Sequence, residues 1–312
     1  MSLALVFPGQ GSQAVGMGKA LHDAYPQSRA VFDEVDEALG ENLSKLIFEG
    51  PIEELTLTAN AQPALMAVSL AALRALESEG FAVSDAAFAA GHSLGEYSAL
   101  AAIGALSLTD TAKLLRIRGN AMQEAVPEGE GAMAAILGLD MDGVKELCNV
   151  AAEGSVCEPA NDNGGGQIVI SGSKAAVDRA IALASERGAK RAIPLTVSAP
   201  FHCALMQPAA ERMAEALKDA AISSPAIPII SNVTADATSD PDAIRNRLVE
   251  QVTGAVRWNE SMLFAAENGV GDLAEIGAGK VLSGLARRID KRLSAKPVGT
   301  PDDIATFLKD RG

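Results

Sequence analysis

Cysteine and histidine are scarce in this chain, basic residues are outnumbered, and long apolar runs are missing. Three cysteines stand among 312 residues, Cys148, Cys157 and Cys203. An odd count with no C-x-x-C pair, and no histidines at zinc-finger spacing, points to neither a disulfide framework nor a metal site. A reducing, cytoplasmic setting is therefore expected. Twenty-six Lys and Arg residues against forty Asp and Glu leave a formal charge of −14. That balance argues against broad nucleic-acid binding or attachment to an anionic membrane, while leaving room for a local basic patch. No stretch approaches the roughly 18 consecutive apolar residues that a membrane-spanning helix needs. The opening MSLALVFPGQ has no basic segment before its short apolar run, so no targeting peptide is expected. What remains is an ordinary globular balance, 48% hydrophobic and 21% charged, in a chain long enough for one large domain or two smaller ones.

Short apolar runs alternate with longer helical patterns, the signature of α/β architecture. LALVF at 3–7 reads as a strand ending in the turn PGQG, and helical patterns follow near 28–39 and 62–79. AAFAAG at 86–91 is a second strand, and the pattern turns helical again from Leu94. SLTD at 107–110 offers a helix N-cap with an acidic residue three positions on, opening a helix to about Ala125. VPEGEG at 126–131 concentrates Pro and Gly and reads as a boundary. Beyond it, AMAAILGL, MDGVKELCNVAA, QIVISG, KAAVDRAIALASERG and KRAIPLTV alternate strand and helix in two halves. They predict a small ferredoxin-like insert at about 128–198. A helix from Ala204, the strand IPIIS, helices near 241–252 and 259–268, the strand DLAEIG and a helix from about Lys280 return to the larger part.

The stretch GHSLGEYSAL at 91–100 carries G-x-S-x-G between a strand and a helix. In that context a sharp turn exposes the serine hydroxyl, and the flanking glycines relieve crowding. Ser93 is thus a candidate nucleophile, a small residue in a tight turn being the alternative. The N–H of Leu94, at the helix start, is placed to face an oxyanion formed where Ser93 attacks a carbonyl. An alcohol nucleophile needs a base, usually histidine, and the chain has three. His22, in GKALHDAYP, is expected on a solvated helix face. His92 adjoins Ser93 at a strand end and points to the other side, where packing or a structural hydrogen bond is expected. His202, in SAPFHCALM, follows Pro200 at a loop-to-helix junction and is the candidate base. In α/β-hydrolases the order is serine, acid, then a late histidine, whereas here 110 residues follow His202. A lipase or esterase is a poor match. PGQGSQAVG misses the G-x-G-x-x-G spacing, and GAGK at 277–280 lacks the rest of a P-loop.

Five stretches together, GHSLGEYSAL, FPGQGSQ (7–13), RIRGNAMQEAVPEGEGAMAAILGL (116–139), SAPFHCALM (198–206) and EIGAGKVLSGLARRI (275–289), resemble the malonyl-CoA:acyl carrier protein transacylases of fatty acid synthesis. The resemblance runs in order along essentially the whole chain. It implies an α/β-hydrolase-like large domain with a parallel sheet (1–127 and 199–312), an inserted ferredoxin-like small domain (128–198), and an active site in the gorge between them. It matches Ser93 to the nucleophile and His202 to the base. It matches Gln10 to the residue whose N–H completes the oxyanion hole with Leu94, and Arg118 to the arginine that holds the malonyl carboxylate. Gln251 matches the glutamine whose backbone carbonyl orients the histidine, and Asn161 resembles an asparagine at the mouth of the site. A guanidinium forks onto a carboxylate in a way that a neutral acyl group cannot exploit.

The implied reaction is ping-pong transfer through a malonyl-serine, with a coenzyme A thioester as substrate, phosphopantetheine carried by the partner, and no bound cofactor or metal. A serine thioesterase with the same dyad, a transacylase for another acyl-CoA such as methylmalonyl-CoA, and a non-catalytic acyl- or carrier-binding module are the alternatives. Phe201 resembles the bulky residue of malonyl-selective members. Acyl carrier proteins are acidic, so two basic clusters are candidate docking sites. One is Arg187, Lys190 and Arg191; the other is Arg287, Arg288, Lys291 and Arg292, which are expected to share one helical face. A monomer is expected.

Overall fold

The computed structural model describes residues 2–311. Strand β1 (Ser2–Phe7) opens the chain, followed by helices α1 (Lys19–Ala24), α2 (Pro26–Leu39), α3 (Leu43–Glu49), α4 (Ile52–Thr56) and α5 (Thr58–Ser78). Next come β2 (Ala86–Gly91), α6 (Leu94–Ala102) and α7 (Leu108–Glu124). A middle segment holds β3 (Gly131–Leu137), α8 (Met141–Ala152), β4 (Cys157–Asp162), β5 (Gln167–Ser173), α9 (Lys174–Leu183) and β6 (Arg191–Pro194). The chain ends with α10 (Gln207–Lys218), β7 (Ile229–Ile230), β8 (Ala237–Thr238), α11 (Pro241–Thr253), α12 (Trp258–Glu267), β9 (Val270–Ile276), α13 (Val281–Ile289), β10 (Ser294–Val298) and α14 (Pro301–Arg311).

Two sheets result. The larger has the order β10-β9-β1-β2-β7-β8, parallel throughout except for the antiparallel edge strand β8. β1 lies near its centre and is buried on both faces, as a continuous apolar run requires. Leu3, Leu5 and Phe7 join a core with α5, while Ala4 and Val6 face the opposite core with Trp258 and Leu285. The smaller sheet, β4-β5-β3-β6, is antiparallel and packs one face on α8 and α9 through Ile136, Val144, Ile170 and Val177.

Most elements fall where the apolar periodicity puts them, and Ser107 caps α7 by accepting the Asp110 N–H at 3.0 Å. α5 starts earlier than its pattern suggests, because Pro63 is tolerated inside it. β4 escapes the pattern altogether, since Glu158, Pro159 and Asp162 interrupt its apolar residues. The expected shared face of Arg287, Arg288, Lys291 and Arg292 is not formed. α13 stops at Ile289, Asp290 is extended, and Arg292 turns back to pair with Asp290 at 2.6 Å. His22 also differs from expectation: its ring rests against Phe32 and Phe48, with centroids 5.9 and 5.1 Å away. Among the described residues, no helix is long and apolar enough to cross a membrane.

Candidate active site

Three neighbouring strands of the larger sheet deliver polar groups to one place at their carboxyl ends, where ligands of open α/β sheets gather. The loop after β1 brings Gln10, the turn after β2 brings Ser93, and the loop after β7 brings Asn232. Ser93 sits at φ 54° and ψ −111°, a conformation costly for any residue with a side chain. The turn around it closes only because its glycines have no Cβ. A Cβ on Gly91 would lie 1.9 Å from the Gly95 carbonyl carbon, and one on Gly95 would lie 2.3 Å from the Phe7 oxygen. Asn232 pins the turn from the side, accepting the Ser93 N–H at 2.8 Å and donating to the Gly91 carbonyl at 2.7 Å.

His202 arrives from 109 residues away, also with positive φ (57°), and its Nε2 lies 2.7 Å from Ser93 Oγ. Nδ1 faces the carbonyl oxygens of Gln251 at 2.9 Å and Gly254 at 3.1 Å. These belong to the end of α11, where helix carbonyls lack intrahelical partners. Two carbonyl acceptors hold the proton on Nδ1 and leave Nε2 free to accept from the serine. Burial first, and the neighbouring Arg118 charge second, push the imidazole down to about 3, so it is neutral near pH 7.

Arg118 is only 1% exposed. α7 carries it inward, where Nη1 donates to Gln62 Oε1 at 2.8 Å, and Nη2 donates to Gln251 Oε1 at 2.8 Å and to Ser93 Oγ at 3.1 Å. Its Nε has no partner, and the Glu96 carboxyl acts on the guanidinium through the Gln251 amide rather than by a direct ion pair. Burying a cation without an anion is costly, and burial accordingly lowers its pKa. The Gln251 side chain links this group to Glu96: its Nε2 donates to Glu96 Oε2 at 2.7 Å and to the Ser93 carbonyl at 3.0 Å. Glu96 also accepts from Ser231 Oγ and the Asn232 N–H. Glu96, Asn232 and the Gln251 amide escaped sequence reasoning. Only the G-E step directly after the serine turn hinted at Glu96.

A cavity of about 320 Å³ opens over Ser93 and His202, lined among others by Gln10, His92, Met133, Asn161 and Phe201. Asn161 thus stands at its wall on β4, although its side chain makes no hydrogen bond among the described residues. The backbone N–H groups of Gln10 and Leu94 likewise find no acceptor among the described residues. His92 is turned away from the serine, its Nε2 2.9 Å from Asn163 Oδ1 and its ring tilted against Trp258. A second cavity of about 420 Å³ shares Gln10, His92, Asn161 and Leu195 with the first and extends to Lys280 and Arg288. Of the other basic candidates, Arg187 is paired with Glu146 at 2.5 Å. Lys190 lines a separate cavity beside Gly164–Gly166. Among the described residues, no group of three His, Cys, Asp or Glu side chains is placed to hold a metal ion.

The family model for the acyl transferase domain matches residues 4–294. A malonyl CoA-acyl carrier protein transacylase of Bacillus subtilis (strain 168) is 50% identical over 308 residues, which cover 98% of this chain and 96% of that protein. The crystal structure of an acyl-carrier-protein-S-malonyltransferase from Bartonella henselae superposes with a TM-score of 0.97 at 58% identity, covering 99% of both chains. A malonyl-transacylase in complex with its type II PKS acyl-carrier protein superposes with a TM-score of 0.96 at 44% identity, over 99% of this chain and 100% of that one.

Proposed function

Because the chain belongs to the acyl transferase domain family, we infer that it transfers the malonyl group of malonyl-CoA to the phosphopantetheine thiol of an acyl carrier protein, through a malonyl ester on Ser93. This reading rests above all on Arg118, a buried cation 3.1 Å from the serine hydroxyl that makes no direct ion pair with any carboxylate among the described residues. A substrate with a terminal carboxylate supplies the missing anion; an acetyl group does not.

His202 Nε2 takes the Ser93 proton as Oγ attacks the thioester carbonyl. The N–H groups of Gln10 and Leu94 receive the oxyanion, with the start of α6 behind them. Collapse of the tetrahedral adduct breaks the C–S bond, and the imidazolium returns the proton to the departing coenzyme A sulfur. The carrier thiol then enters by the reverse path, giving its proton to His202 and regenerating Ser93. Asn161 borders the mouth of the site.

The same reading divides the chain into an α/β-hydrolase-like part, 1–127 and 199–312, and a ferredoxin-like part, 128–198. The antiparallel order β4-β5-β3-β6 supports the second label. An acidic carrier would approach over Arg287 and Arg288, since Arg288 lines the outer cavity that continues from the site. Lys291, Arg292, Lys190, Arg191 and Arg187 would add only a diffuse field. Three free, buried cysteines support a reducing cytoplasm, and a site assembled within one chain supports a monomer.

Intact-protein mass spectrometry after brief exposure to malonyl-CoA tests the reading. The wild type should gain one malonyl group, Ser93→Ala none, and a phosphopantetheine thiol should discharge the adduct faster than water. Discharge by water alone would establish a thioesterase instead. Absence of an adduct, without release of coenzyme A, would leave a binding protein.

A further inference from the structure

We propose that Glu96 is a positioning residue for substrate selection: by holding the Gln251 side-chain amide in one polarity, it aims the Arg118 guanidinium at the space beside Ser93 Oγ. The proposal rests on the acyl-transfer reading above and adds to it a residue whose backbone N–H bonds the Ser93 carbonyl but whose side chain touches neither substrate nor the dyad side chains.

The argument is one of hydrogen-bond polarity. Glu96 Oε2 accepts the Asn232 backbone N–H and so is an acceptor for the amide beside it, and a guanidinium only donates. The Gln251 amide stands between one of each. Its Nε2 lies 2.7 Å from Glu96 Oε2 and 3.0 Å from the Ser93 carbonyl, both acceptors, so the nitrogen must face them. Oε1 is thereby turned to Arg118 Nη2, 2.8 Å away. A flipped amide would set its oxygen against the carboxylate and its NH2 against the guanidinium, replacing two attractions by two repulsions. Glu96 itself cannot swing aside. It is 2% exposed and held by Ser231 Oγ at 3.0 Å and the Asn232 N–H at 3.2 Å.

Arg118 therefore has its Nη2 fixed by an acceptor whose own direction is dictated by the buried Glu96 carboxyl one step away, whose pKa burial raises while the Gln251, Asn232 and Ser231 hydrogen bonds oppose that rise. Glu96 follows Gly95 in the first turn of α6, so the turn that presents the nucleophile also carries the anchor for the group beside it. Meanwhile the Gln251 backbone carbonyl serves His202. One residue thus holds the base through its main chain and the selecting cation through its side chain, and the two roles can be separated by mutation.

The test measures kcat/KM for coenzyme A release from malonyl-CoA and from acetyl-CoA in four proteins: wild type, Glu96→Gln, Arg118→Ala and the double variant. Glu96→Gln keeps the side-chain size, removes the charge and lets both amides turn. Losing a charge-assisted hydrogen bond predicts that the malonyl-over-acetyl preference falls about tenfold in Glu96→Gln. In the Arg118→Ala background the same change should alter the preference less than about twofold, because the aimed group is gone. An unchanged preference in folded Glu96→Gln overturns the proposal. So does an equal fall in both backgrounds, which would mean that Glu96 acts on the fold or the serine instead. If Glu96→Gln does not fold, Gln251→Met removes the amide yet keeps the carbonyl to His202. It should show the same fall, and a retained preference would overturn the proposal. A wild type that neither acylates Ser93 nor prefers malonyl overturns the acyl-transfer reading itself, an outcome distinct from these.

Discussion

The imidazole of His202 donates from Nδ1 to the backbone carbonyl of Gln251 at 2.9 Å, where a serine triad would place a carboxylate. A carbonyl fixes the ring and its tautomer but adds no full negative charge to favour the imidazolium. Burial therefore dominates and makes the base weak, the Arg118 charge nearby weakens it further, and the Gln251 carbonyl only partly offsets them.

The pH dependence follows directly. With the free-enzyme base pushed down to about 3, kcat/KM for malonyl-CoA is expected to stay level from roughly pH 8 to pH 5 rather than fall with a midpoint at the usual histidine value. Stability, unlike the rate, depends on pH across this range. Between the unfolded value of 6.5 and the folded value near 3, the unfolded chain binds a proton that the buried ring refuses, so stability declines as pH falls through that window. Initial rates and urea unfolding across the range check both statements, and a rate limb centred near 6.5 would contradict them.

Arg118→Ala should lower kcat/KM for malonyl-CoA by roughly ten- to hundredfold, the worth of a lost charged hydrogen bond, with a much smaller change for acetyl-CoA. Removing the cation also removes a like charge from beside His202. The acid limb of the surviving activity should move upward, which a pH series with acetyl-CoA would detect.

Gly95→Ala and Gly91→Ala each drive a methyl group into backbone, at 2.3 and 1.9 Å respectively. Neither contact is with a flexible side-chain tip, so the strand or helix must shift. A loss of about 3 kcal/mol or more in unfolding free energy is expected, together with loss of serine acylation. Native-like melting in either variant would show that the turn is more pliant than its contacts imply.

Charge reversal of Arg287 and Arg288 should raise KM for the carrier protein while leaving acylation by malonyl-CoA nearly unchanged. The difference from wild type should shrink in high salt, where exposed charges are screened. Steady-state kinetics at two ionic strengths would measure it. Reversal of Arg187, already engaged by Glu146, should matter less.

How much of this was legible beforehand depended on range. The serine turn, the strand before it and the helix after it are local, and GHSLGE reads plainly. His202 stands out through the shortage of other histidines and its place at a loop-to-helix junction. β4 was hidden because its strand character comes from pairing with β5, not from residues such as Glu158, Pro159 and Asp162. The Glu96–Gln251–Arg118 connection joins three helices, α6, α11 and α7, and each polar residue read alone looks like a solvated face. Such a network becomes visible only when the elements are packed. Lys291 and Arg292 depart from expectation for the opposite reason: helical periodicity continues past Ile289 in the sequence, whereas Asp290 and Arg292 pair locally and turn the chain away.

The absence of a direct ion pair at Arg118 also bears on how long the protein lasts. A folded state that buries a cation without a directly paired carboxylate is raised in free energy until one arrives, and an acylated molecule is relieved of that burden. Supply of malonyl thioester should then shift the population toward a form that resists heat and proteolysis, so that the enzyme persists longest when there is work for it to do.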